Sequence, residues 1–105
     1  MKTKKMNTVK IEYVNCKNNC IISRADNSLI TFAGNSQELI IPEGVETIKT
    51  NCFRANKKLK SIIIPDSVTN LGDSAFMNCS NLNTCVLSNN LTEILKDTFS
   101  NCTSL

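Results

Sequence analysis

Apolar positions recur along this chain every 23 residues. Phe53, Phe76 and Phe99 keep that step, as do Leu59, Leu82 and Leu105, and so do Pro42 and Pro65. Cutting after each of those leucines gives three windows without a gap, 37–59, 60–82 and 83–105. In window order the apolar columns are Leu39, Ile62, Cys85; Ile41, Ile64, Leu87; Val45, Val68, Leu91; and Ile48, Leu71, Ile94. A column of small residues, Cys52, Ala75 and Thr98, precedes the phenylalanines, and another column holds Asn56, Cys79 and Cys102. Agreement in so many columns is the signature of an internal repeat.

Each window opens on a short run rich in branched residues, such as Ser61-Ile62-Ile63-Ile64, closed by Pro65 or its equivalent. Such a run predicts a strand, and the proline ends its ladder because it has no N–H to donate. Pro42-Glu43-Gly44 and Pro65-Asp66-Ser67 are turn sequences, with proline fixing φ. The rest of each window is too short for an ordinary helix, so turns and single 3₁₀ or helical turns around a buried Phe are expected there. The predicted fold class is a repeat solenoid, one parallel β-strand per 23-residue coil.

Ahead of the repeats, residues 8–14 alternate, with Val9, Ile11 and Tyr13 on one side and Lys10 and Glu12 on the other. Residues 21–24 and 28–32 read as two strands around the turn Ala25-Asp26-Asn27. The expected organisation is therefore a disordered tail at 1–7, a strand and β-hairpin cap at 8–36, and three repeats at 37–105. The sequence stops on the last apolar column with no polar cap, which reads as a fragment of a longer array, or as an end covered by another molecule.

Strand alternation picks out a candidate surface. If Ile62 and Ile64 face the core, Ile63 must face outward, and its column mates are Ile40 and Val86. Three branched side chains then stack as an exposed stripe, flanked by Glu38, Ser61, Thr84 and Ser88. The plain account is β-propensity. The functional account is a contact surface for a protein partner or a second copy. Ile40, Ile63, Val86, Ser61 and Thr84 are the candidate binding residues, and the open last coil is a second place for self-association.

Composition narrows the chemistry. The chain of 105 residues has room for one small domain, and 41% hydrophobic content with five aromatics leaves its core to Ile, Leu and Val. The net charge of +3 comes largely from Lys2, Lys4 and Lys5 and from Arg54, Lys57, Lys58 and Lys60. With a pI of 8.6 this is too sparse for a nucleic-acid reader, and the cluster reads as a solvated turn. No apolar run is long enough to span a bilayer, so no membrane insertion is expected. The basic N-terminus lacks the apolar stretch of a secretory signal.

Six cysteines raise a disulfide framework or zinc, yet Cys52, Cys79, Cys85 and Cys102 fall in core columns, where a thiol acts as a small hydrophobe. There is no His and no CxxC, so neither a metal nor a cofactor is expected. Reduced thiols are the default, with Cys16 and Cys20 as the one candidate local disulfide. A Ser or Cys nucleophile would lack its usual base without His. The carboxylates Glu43 and Asp66, equivalent turn residues, sit on an open edge without a pocket, so the chain does not read as an enzyme. Sequons at Asn78, Asn90 and Asn101 matter only in a secretory pathway.

The run I-P-D-S-V-T-N-L-G-D-S-A-F-M-N-C-S-N-L at 64–82 resembles the BspA-like leucine-rich repeat. Residues 87–105 resemble a divergent copy, with Ser88 for proline and Thr98 for alanine, and 37–59 a copy departing at Cys52 and Asn56. Residues 20–36 are similar to the hairpin that often precedes such repeats. The resemblance implies a leucine-rich-repeat solenoid that binds proteins without catalysis, often in adhesion at a cell surface. The alternative is an intracellular scaffold for protein partners, which the missing signal sequence favours.

Overall fold

The computed structural model describes residues 11–15 and 19–105, and the expected tail at 1–7 lies outside them. Among the described residues the strand-forming runs pair as their spacing requires. β1 (Ile11–Asn15), β2 (Asn19–Ser23) and β3 (Ser28–Phe32) form an antiparallel meander. β4 (Glu38–Ile40), β6 (Ser61–Ile63) and β8 (Thr84–Val86) then form a parallel sheet, one strand from each repeat. Its rungs are Glu38–Ser61–Thr84, Leu39–Ile62–Cys85 and Ile40–Ile63–Val86, so residues 23 apart in sequence become neighbours on adjacent strands.

Each of the first two repeats also has a second, two-residue strand, β5 (Thr47–Ile48) and β7 (Asn70–Leu71). The expectation of one strand per coil missed these, because two residues carry no readable alternation. β3 pairs in parallel with β5, and β5 with β7, so the hairpin extends this second sheet. Its turn is tied down as well. Asp26 accepts a bond from the Ser28 hydroxyl (2.6 Å) and pairs with Lys49 (3.5 Å), and these contacts hold its carboxyl below the ordinary value.

The return segments are not helical. Neither an α-helix nor a 3₁₀-helix forms among the described residues; of the expected turns and 3₁₀ or helical turns, the segments form overlapping β-turns alone. In the first repeat the N–H groups of Cys52, Arg54 and Asn56 bond back to Lys49, Asn51 and Phe53. The intervening N–H groups of Asn51, Phe53 and Ala55 instead donate to the carbonyls of Asp73, Ala75 and Met77 in the next repeat. A 3₁₀-helix would need all of these donors within the segment; half of them are used to bind the neighbour. Left-handed residues at Asn51, Ala55, Ser74, Asn78 and Asn101 keep the segments from winding into a helix.

A stack of rings runs along the core. The centroids of Phe53 and Phe76 lie 4.9 Å apart and those of Phe76 and Phe99 5.2 Å, with nearly parallel planes. Phe32, at the end of β3, adds a tilted fourth ring 5.3 Å from Phe53. It stands 21 residues ahead of Phe53, outside the repeat step, so periodicity did not place it in the column. Leu39, Ile62, Ile41, Ile64, Val45, Val68, Ile48, Leu71, Leu59 and Leu82 are buried around the stack as expected. The last repeat departs: Leu87, Ile94 and Leu105, assigned to the same columns, are exposed.

Candidate binding face

The outward rung of the β4–β6–β8 sheet is apolar. Ile40, Ile63 and Val86 stand in register on successive parallel strands and are 65%, 40% and 50% exposed. Pleating forces this, because Leu39 and Ile62 turn inward and are fully or almost fully buried. Of the flanking residues, Glu38 and Thr84 are exposed and Ser61 is half-buried. The Thr84 hydroxyl donates to the Asn83 side chain (2.9 Å). Ser88 does not belong to this surface. It is buried, and its hydroxyl donates to the Val68 carbonyl (2.6 Å) while accepting the Asn90 N–H (3.0 Å). Having replaced the proline of the earlier repeats, it satisfies its polar group through the neighbouring coil.

The carboxylate at Asp66 is engaged in the turn ladder. It accepts the Asn89 N–H (2.8 Å), while the Asn90 side chain donates to the Asp66 carbonyl (2.7 Å). One coil earlier the Ser67 hydroxyl performs the same bridging, accepting from Gly44 N–H and donating to the Val45 carbonyl. These polar ladders had no signal beyond an abundance of Asn and Ser, since any one residue reads as an ordinary turn residue.

The cysteines divide in two. Cys20, one of the two residues expected to form a local disulfide if any did, is buried and disulfide-bonded, and Cys16 lies outside the described residues. Cys52, Cys79, Cys85 and Cys102 are free. Burial pushes the Cys52 and Cys85 thiols up to about 12 and Cys79 to about 11, and raises Cys102 as well. Cys79 and Cys102 donate to the carbonyls of Phe53 and Phe76 in the preceding coil, both at 3.0 Å. Asn56, in the same column, does the opposite: its side-chain oxygen accepts the N–H groups of Lys58 and Leu59. Among the described residues no group of His, Cys, Asp or Glu is arranged to hold a metal ion, and no helix is long and apolar enough to cross a membrane.

Parallel strands stacked one per repeat on a phenylalanine column define a leucine-rich-repeat protein. Comparison with known proteins names the branch. The model of the "BspA type Leucine rich repeat region (6 copies)" matches residues 26–105, and the chain belongs to that family. It is similar to a leucine rich cell surface protein from Faecalibacterium prausnitzii A2-165, with 31% identity and a TM-score of 0.81 over 90% of this chain and 26% of that one. A leucine-rich repeat protein of T. pallidum shares the fold at 24% identity and a TM-score of 0.75, over 90% of this chain and 48% of that one. One from Bacteroides capillosus ATCC 29799 does so at 24% identity and a TM-score of 0.63, over 77% and 67%. The chain thus spans about a quarter of the first of these and half of the second. No functionally curated protein matches it.

Proposed function

We propose that this chain is a non-catalytic protein-binding module of the cell-surface adhesion type. Its contact face is the apolar rung Ile40, Ile63 and Val86, rimmed by Ser61 and Thr84. The observation that supports this is the stacking of three exposed branched side chains in one register on a sheet that otherwise hides its apolar residues. In this reading residues 37–105 wind as a continuous solenoid of three repeats, and the strand and hairpin at 8–36 cap its first coil. The disulfide at Cys20 fits an oxidising environment and so favours the surface reading over an intracellular scaffold.

The test is Ile63→Lys, which replaces a solvent-facing side chain and leaves the core columns untouched. Circular dichroism and thermal melting are expected to match wild type. Self-association by analytical ultracentrifugation, and adhesion of beads carrying the chain to extracellular matrix, are expected to fall. Unchanged association in a folded variant would move the contact surface elsewhere.

A further inference from the structure

A second surface lies at the end of the first repeat and the start of the second. Arg54, Lys57, Lys58 and Lys60 fall within seven residues with no acidic residue among them. All four are exposed. The positions 23 residues further on are Met77, Ser80, Asn81 and Asn83, so the charge is local and is not a property of the repeat. Among the described residues no carboxylate pairs with any of these four cations.

The backbone beneath them is fixed. Leu59 is fully buried between Lys58 and Lys60, and the Asn56 side chain accepts both the Lys58 and Leu59 N–H groups. Lys60 N–H donates to the Gln37 carbonyl (2.7 Å), and the Asn81 side chain donates to the Lys57 carbonyl (2.6 Å). The four like charges therefore stand on an ordered turn, with little backbone entropy left to lose on binding.

We propose that this segment binds a sulfated polysaccharide. The pattern of basic residues, B-x-x-B-B-x-B from Arg54 to Lys60, suits a polyanion of high charge density. A nucleic acid is the poorer fit, because none of the four phenylalanines is exposed to stack a base, and four cations fall short of the phosphate contacts that such readers make. Lys60 directly precedes Ser61 of β6, so the two surfaces adjoin there, and the Ile63 and lysine substitutions test them one at a time.

The experiment titrates the full chain with a heparin oligosaccharide, the same oligosaccharide stripped of sulfate, and a single-stranded oligonucleotide of equal charge. The expected result is binding of the sulfated sugar alone, with log affinity falling linearly with log salt. Lys58→Gln with Lys60→Gln is expected to weaken it by about ten-fold and to lower the salt slope by about two, one for each lysine removed. Lys58→Arg with Lys60→Arg is expected to retain it, which separates charge from misfolding. Lys2, Lys4 and Lys5→Gln is expected to leave it unchanged. No binding by wild type, equal loss from the tail substitutions, retention by the double Gln variant, or tighter binding of the oligonucleotide would each overturn the proposal.

Discussion

The second repeat, 60–82, and the third, 83–105, carry nearly the same column pattern and reach different ends. In the second, Ile62, Ile64, Val68, Leu71, Phe76 and Leu82 are all buried. In the third, Cys85, Leu91 and Phe99 are half-buried and Leu87, Ile94 and Leu105 are exposed. The second is packed between two coils; among the described residues no coil stacks on the outer side of the third. A repeat is a unit that buries its apolar face only through its neighbours, and position in the stack therefore sets the burial that sequence can only permit.

Packing alone does not account for the whole difference. The second sheet ends at β7, and Glu93 and Ile94, the equivalents of Asn70 and Leu71, form no strand. Gly72 follows β7, donates to the Ile48 carbonyl (2.7 Å) and lies so close to the first coil that an added Cβ would meet the Thr50 nitrogen at 2.2 Å. Its equivalent in the third repeat is Leu95, which has the Cβ that such an approach excludes. The third coil has no two-residue strand at that corner.

The largest expected effect is at the ring stack. Phe76→Ala should cost about 3–5 kcal/mol, because it opens a cavity between two coils. Phe99→Ala should cost clearly less, its ring being covered on one side only. Urea unfolding of both variants checks this, and equal losses would break the contrast between the two repeats.

Gly72→Ala should cost about 1–3 kcal/mol by forcing backbone apart, since the nearest atoms belong to the chain and cannot rotate away. Leu95→Ala should stay within about 0.5 kcal/mol of wild type, as expected of an exposed position. If Gly72→Ala melts like wild type, the corner does not govern the end of the second sheet.

Thr98 sharpens the comparison in the other direction. It occupies the column of Ala75, fully buried, and its hydroxyl has no partner. Thr98→Val removes that unpaired group at similar volume and should raise stability by about 1 kcal/mol. A lower melting temperature would show that the hydroxyl is satisfied in solution.

Cys79 and Cys102 make the same hydrogen bond from the same column, so a thiol reagent reads exposure almost alone. Cys102, half-buried, should react before the buried Cys79 and Cys52 in the native chain, and mass spectrometry of partly modified protein gives the order. The raised thiols also set an alkaline limit. Below the ordinary thiol value of 9.0 both folded and unfolded chains keep these protons. As pH rises from there toward 11–12 the unfolded chain releases protons that the folded one holds, so stability should fall across that window. A midpoint in urea that stays constant over this range would contradict the burial of Cys52 and Cys85.

The sequence by itself determined the repeat length, the β4–β6–β8 strands, the phenylalanine column and the outward rung of Ile40, Ile63 and Val86. These follow from chemistry that every repeat restates: branched residues alternating on a strand, proline at its end and a large ring at a fixed offset. Only the tertiary structure decided features that depend on what lies across the gap between coils. Phe32 joins the ring stack because β3 pairs with β5, a long-range contact that no local spacing encodes. The return segments become β-turns because alternate N–H groups find acceptors in the next coil, and a short window taken alone would have used them internally. Ser88 is buried because the Val68 carbonyl sits within its reach, while Ile94 is exposed because no coil among the described residues covers it. A pattern fixes which face a side chain presents; the neighbour that face meets is decided by the stack.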